Sequence, residues 1–282
     1  MNKDEFHERR LQLDRRLGGR RITDRLKEAE EFSRKVRKAI QRRVVITGLG
    51  IVAPIGIGKE EFSNGLKEGR NAVDNISFFN AKNHPSKVGA EIRNFRAEDF
   101  VRKKDIHKMG RGAHLGIAGA FMAVEDSQIK FSRNDRLTCP VIIGSSVGGM
   151  DFAEEEFEIY FKKGLSRVSP YAGIAIFCAS PSGEISRYLS LRGQSITISN
   201  GCTSGSDAIS YAASGIKNGS YDVAICGGAD ACVTYSVLGA FCRMGVTSTH
   251  YNNSPKKASR PFDKDRDGFV IGEGAWILIV EE

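Results

Sequence analysis

From Arg43 onward the chain alternates short β-branched apolar runs with helix-length segments, and each run closes on glycine. Val44-Val45-Ile46 stops at Gly48-Leu49-Gly50, Val141-Ile142-Ile143 at Gly144, Ser195 to Ser199 at Asn200-Gly201, and Asp222 to Cys226 at Gly227. Strand signals that alternate with helical segments predict a layered α/β fold with helices on the faces of a sheet. Helices are expected over 59–68, 114–127, 151–163 and 203–217, with a last apolar strand over 276–280. The 282 residues, 40% hydrophobic with 31 glycines, suit such a fold and exclude a disordered or fibrous chain.

Charge divides the chain in two. Residues 1–43 hold 15 Lys/Arg against 8 Asp/Glu, so this arm carries +7 of the net +8; the remaining residues hold 27 against 26. A basic nucleic-acid-binding domain is therefore not indicated. Within the arm, Thr23 is a candidate N-cap for a helix from about Asp24 to Arg42. Leu26, Ala29, Phe32, Val36 and Ile40 form one narrow apolar stripe on it, and such a helix is marginal alone. No apolar run reaches the roughly 18 residues that span a bilayer. The charged N-terminus has no signal-peptide apolar segment, so no membrane partner and a cytoplasmic location are expected. The six cysteines (139, 178, 202, 226, 232 and 242) show neither a CxxC pair nor zinc-like spacing, so no metal, cofactor or disulfide framework is expected.

Cys202 is the candidate nucleophile. It follows the strand signal of 195–199, sits just after Asn200-Gly201 and opens a small-residue helix. A cysteine at a helix start meets unpaired backbone N–H groups and the positive end of the helix dipole, which favour the reactive thiolate. Three look-alike motifs fail. Gly48 and Gly50 begin a dinucleotide fingerprint whose third glycine is Ala53. Gly201 to Gly205 imitates a hydrolase elbow, but Thr203 fills the nucleophile slot. Asp263 to Gly268 imitates a calcium loop, yet its twelfth position is Gly274, and Lys264 and Arg266 place positive charge where the cation would bind.

The segments Val44–Gly50, Gly144–Gly149, Ser169-Pro170, Cys202–Gly205, Cys226–Asp230 and Ser259–Ala275, in that order and spacing, resemble the β-ketoacyl-acyl-carrier-protein synthases. The likeness covers about Val44 to Glu282 and is closest to the elongating, fatty-acid type. After the basic helical arm of residues 1–43, which is marked by its charge, it implies over 44–282 the N-terminal half of a thiolase-like fold: a mixed sheet with helices on both faces. It also implies that a carrier-bound acyl group is transferred to Cys202, whose N–H supplies one oxyanion donor.

By the same resemblance, Val147 and Phe241 line and gate an acyl tunnel. Lys104, Lys108, Lys163 and Arg167 are candidates for docking an acidic acyl carrier protein, acyl- or malonyl-loaded. A homodimer, or pairing with a C-terminal half, is expected. Decarboxylation and Claisen condensation need two histidines, and none of His7, His84, His107, His114 and His250 stands in the family's context for them. The second oxyanion donor and a catalytic lysine fall beyond the matched motifs too, and Ala179-Ser180-Pro181 departs from the family pattern. Three readings stay open: the N-terminal half of an active synthase, a split or accessory subunit that pairs with a second chain, and a non-catalytic acyl- or carrier-binding module. Retention of Cys202 weighs against the third.

Overall fold

The computed structural model describes Glu8, Gln12, Asp24, residues 27–33 and residues 42–282. The chain divides into two compact units, Met1–Arg43 and Val44–Glu282. In the first, Asp24 and residues 27–33 are helical and exposed, Ala29 and Phe32 of the apolar stripe included. Thr23, Leu26, Val36 and Ile40 lie outside the described residues.

The second unit is built on strands β1 (Val45–Ala53), β2 (Gly56–Ile57), β3 (Asp74–Asn75), β4 (Val88–Ala90), β5 (Val141–Gly144), β6 (Ser195–Ile198), β7 (Val223–Ala231) and β8 (Ile271–Glu281). Its helices are α1 (Lys59–Lys67), α2 (Arg111–Ser127), α3 (Arg133–Thr138), α4 (Met150–Lys163), α5 (Ala172–Ala175), α6 (Ser180–Tyr188), α7 (Ser204–Lys217) and α8 (Tyr235–Met244). The main sheet runs in the order β2-β1-β8-β7-β5-β6. It is mixed: β8 is antiparallel to β1 and β7, whereas β5 is parallel to β6 and β7. At its start β8 also pairs in parallel with β4, which carries β3.

Strand side chains alternate between faces, and the two faces bury against different helices. Val141, Ile143, Ile225, Ile277 and Ile279 pack with Leu115, Ile117, Ala118, Ala120 and Ala123 of α2. Their neighbours Ile142, Ala224, Cys226 and Val280 pack with Ala208, Ala212 and Ile216 of α7. Each large aliphatic side chain buried in this way contributes about 1.5–3 kcal/mol. No helix among the described residues is long and apolar enough to cross a membrane.

The glycines do a different job from the one the sequence suggests. Gly48 and Gly50, expected to close the first strand, lie inside β1. A Cβ on Gly50 would come within 1.7 Å of the Gly119 carbonyl oxygen, and one on Gly48 within 2.1 Å of that of Ala123. Bare backbone here lets α2 lie directly on the sheet. Likewise β7 continues through Gly227 and Gly228 to Ala231, and β8 begins at Ile271 rather than 276, because their antiparallel pairing runs from Val223–Glu281 to Ala231–Glu273. The helix expected over 114–127 starts three residues earlier, at Arg111.

Candidate active site

The chain leaves β6 at Ile198, turns at Gly201 with φ +71°, and makes one 3-10 turn, Gly201–Thr203, before α7 starts at Ser204. Cys202 therefore stands at the strand-to-helix elbow the sequence points to. Glycines allow the start of α7 to approach the ends of two strands. A Cβ on Gly144 of β5 would lie 2.2 Å from the Ser204 carbonyl carbon, and Gly205 abuts Gly228 of β7.

Hydroxyls fix the elbow. The Gly201 carbonyl oxygen accepts the Ser204 N–H, the Ser204 hydroxyl at 2.6 Å and the Ser146 hydroxyl at 2.7 Å. Ser204 Oγ accepts the Asn200 N–H at 2.9 Å, and both Asn200 Nδ2 and Thr203 Oγ1 donate to Asp207 at 3.0 Å. Ser146 belongs to the Gly144–Gly149 loop, which the Asp230 carboxylate grips: it accepts the Ser145 hydroxyl at 2.7 Å, the Ser146 N–H at 2.8 Å and the Val147 N–H at 3.2 Å. Sequence reasoning missed Ser146, Ser204 and Asp230 as a unit. The signal lies in the parallel pairing of Gly144 with Gly228, which sets the loop after β5 beside the end of β7.

Cys202 opens into a cavity of about 570 Å³, also lined by Ser146, Ser204, Ile209, Asp230, Glu273 and Trp276. It is the one exposed cysteine of the six; the others are buried or half-buried. Burial pushes the thiols of Cys139, Cys226 and Cys232 up to about 12, which keeps them protonated and inert.

The structure separates the other candidates. Val147 and Phe241 meet in one apolar cluster with Val233, Val237, Leu238 and Ile271, and neither lines the cavity at Cys202. Lys104, Lys163 and Arg167 are exposed. Lys108 instead pairs with the buried Asp105 at 3.0 Å and lies over the Tyr171 ring. Asp105 also receives Arg102, Arg187 and the Tyr188 hydroxyl, and these partners hold its carboxyl well below the usual carboxylate range.

Among the described residues no histidine lines the cavity at Cys202. His84 contacts the Tyr235 carbonyl at 3.0 Å, and His114 that of Ile106 at 3.0 Å; His107 stands edge-on to Tyr171, and His250 lies beside Asp267. His7 lies outside the described residues. The aspartates of the calcium-like segment serve the loop: Asp263 pairs with Arg260, and Asp267 accepts the N–H groups of Thr249 and His250. No cluster of three or more His, Cys, Asp or Glu side chains able to hold a metal occurs among the described residues.

A mixed sheet between helical layers, with a cysteine presented at a strand-to-helix elbow over a cavity, defines a thiolase-like α/β protein. Residues 41–282 match the family model described as "Beta-ketoacyl synthase, N-terminal domain", and the chain belongs to that family. It is 36% identical over 242 residues to 3-oxoacyl-[acyl-carrier-protein] synthase 2 of Vibrio cholerae, and to the same enzyme of Synechocystis, with 86% of this chain and 58% of each relative covered. Among solved structures it resembles the ishigamide ketosynthase/chain length factor, with a TM-score of 0.77 and 30% identity, again over 86% of this chain and 58% of the other. It also resembles the type II polyketide ketosynthase in the AntDE:AntF complex with its acyl carrier protein, with a TM-score of 0.75, 26% identity and the same coverage. The chain thus spans 58% of the length of these relatives.

Proposed function

We propose that this chain performs the acyl-accepting half-reaction of a 3-oxoacyl-acyl-carrier-protein synthase, in fatty-acid or polyketide assembly. The Cys202 thiolate attacks the carbonyl carbon of an acyl thioester, and the carbonyl π pair moves to oxygen. Backbone N–H groups, that of Cys202 among them, hold the oxyanion. On collapse the pair returns, the bond to the donor sulfur breaks, and the released thiolate takes a proton from water. The observation that carries this reading is the exposure of Cys202 at the elbow, over the cavity, while the thiols of Cys139 and Cys226 are buried. Exposed Lys104, Lys163 and Arg167 are the docking surface for an acidic carrier protein in this reading, and Val147 and Phe241, in an apolar cluster outside the Cys202 cavity, would meet only the far end of a longer acyl chain.

A second reading concerns the condensation step. Among the described residues no histidine lines the cavity at Cys202; in this reading the groups that decarboxylate malonyl carrier and complete condensation are supplied by a further segment, in the same polypeptide or in a second chain. The favouring observation is apolar surface left open on the cavity wall, where Trp276 is 44% exposed.

The test is acyl transfer from an acyl carrier thioester, followed by intact mass. Wild-type chain gains one acyl group at Cys202, and Cys202→Ala gains none. Labelling that survives the substitution overturns the assignment. Condensation product from purified chain and malonyl carrier alone would overturn the second reading.

A further inference from the structure

A peptide unit is a rigid plane, so whatever holds its carbonyl oxygen also aims the N–H at its other end. Gly201 and Cys202 share such a plane. Gly201 adopts φ +71°, a left-handed conformation that glycine reaches without strain. Its oxygen takes three donors: the Ser204 N–H, the Ser204 hydroxyl at 2.6 Å and the Ser146 hydroxyl at 2.7 Å. Ser204 belongs to the helix after the elbow. Ser146 arrives from a different part of the chain, on the loop whose N–H groups at 146 and 147 and hydroxyl at 145 are gripped by Asp230. A carbonyl that accepts several hydrogen bonds also polarises its peptide and strengthens the N–H as a donor.

We infer that Ser146 is a positioning residue for acyl transfer: its hydroxyl, held in place by the Asp230-anchored loop, clamps the Gly201–Cys202 peptide so that the Cys202 N–H is aimed at the oxyanion. The inference rests on the reading of Cys202 as the acyl acceptor. Its signature comes from the chemistry. Thioester attack develops charge on oxygen and depends on the aimed N–H. Alkylation by iodoacetamide displaces iodide at a saturated carbon, develops no oxyanion and does not depend on it.

The experiment compares the full chain with Ser146→Ala, Ser146→Thr and Cys202→Ala, using octanoyl-acyl carrier protein as acyl donor and iodoacetamide as alkylating agent, each followed by intact mass over time. Ser146→Ala leaves the Gly201 oxygen two donors, so no group is orphaned. Loss of one oriented hydrogen bond predicts acylation that is slower by about tenfold but reaches the wild-type extent. The iodoacetamide rate is unchanged, and Ser146→Thr, which keeps the hydroxyl, restores acylation. Wild-type acylation by Ser146→Ala overturns the clamp. Equal loss of both rates, or a lower final extent with an unchanged rate, also overturns it, by assigning the effect to the thiolate or to the folded fraction. Failure of wild type to be acylated, or acylation of Cys202→Ala, overturns the underlying reading of Cys202 instead.

Discussion

Arg111 and Glu273, 162 residues apart, meet through two parallel contacts: Nε to Oε2 at 2.7 Å and Nη2 to Oε1 at 2.8 Å. The Glu273 carboxylate also accepts the Ile92 N–H at 2.8 Å, while Arg111 donates to the Ile92 carbonyl at 2.7 Å. The pair ties the first turn of α2 to β8 on the wall of the Cys202 cavity. With the Glu273 side chain 1% exposed, the carboxylate depends on this partner for its charge to be tolerated.

Removal of one member is therefore expected to cost far more than removal of both. Arg111→Met leaves a buried carboxylate with only a backbone donor and lowers unfolding free energy by about 3 kcal/mol. The double variant Arg111→Met/Glu273→Met recovers a large part of that, because an apolar pair of similar size replaces the ion pair. Urea unfolding of the wild type, both singles and the double gives the coupling directly; additive losses would contradict it.

Much of the fold was legible from Val44 onward, since the β-branched runs and their spacing mark real strands and the helices between them. The strand ends were not. Gly48, Gly50, Gly227 and Gly228 read as punctuation, because a sequence does not say whether a glycine turns the chain or lets another backbone touch it. The elbow at Cys202 was readable because it is local. The Ser146–Gly201 and Arg111–Glu273 contacts were not, because each needs the strand order to bring distant segments together.

The close-contact glycines and an open one should respond oppositely to the same substitution. Gly50→Ala drives a methyl group against the Gly119 carbonyl oxygen and is expected to destabilise by roughly 3 kcal/mol, near the upper end for overpacking. Gly183, exposed on α6 with nothing within 4 Å of an added Cβ, gains helix propensity, and Gly183→Ala stabilises by about 0.5–1 kcal/mol. Thermal unfolding distinguishes the two, and a similar shift in both would refute the close-packing account.

Stability should fall in mild acid through His114. Burial pushes this imidazole from its ordinary 6.5 down to about 4. The folded value lies below the unfolded one, so between them the unfolded chain binds the proton more readily. The contribution is whole above about pH 6.5 and is lost as the pH drops toward 4, by about 3 kcal/mol. Burial pushes the Asp151 carboxyl up, which gives a slope of the opposite sign. The comparison is therefore the difference between wild type and His114→Gln, measured by urea unfolding from pH 7 to 4; a difference that does not change with pH would refute the assignment.

Charge reversal should separate docking cations from structural ones. Lys104→Glu and Arg167→Glu, both on exposed side chains, are expected to weaken binding of an acidic carrier protein about threefold to fivefold, mainly through the association rate and less so at high salt. Lys108→Met removes a partner of Asp105 and a cation over the Tyr171 ring, so it lowers the melting temperature while carrier affinity changes little. Surface plasmon resonance at two salt concentrations, beside thermal unfolding, checks both halves.

The six thiols should react in an order set by burial. At pH 8 a thiol held up at about 12 is almost wholly protonated, and only thiolate is alkylated. Cys139, Cys226 and Cys232 are in that state, and Cys139 and Cys226 are also closed to reagent at 1% and 0% exposure. Cys202, exposed at the elbow, is expected to take the first equivalent of iodoacetamide in the native chain, ahead of the half-buried Cys178 and Cys242, with Cys139, Cys226 and Cys232 modified only after unfolding in guanidinium. Peptide mass mapping of a timed reaction reads the order. A first modification at Cys226 or Cys139 would mean that the sheet opens on the labelling timescale, and that the exposure of Cys202 does not govern which thiol reacts.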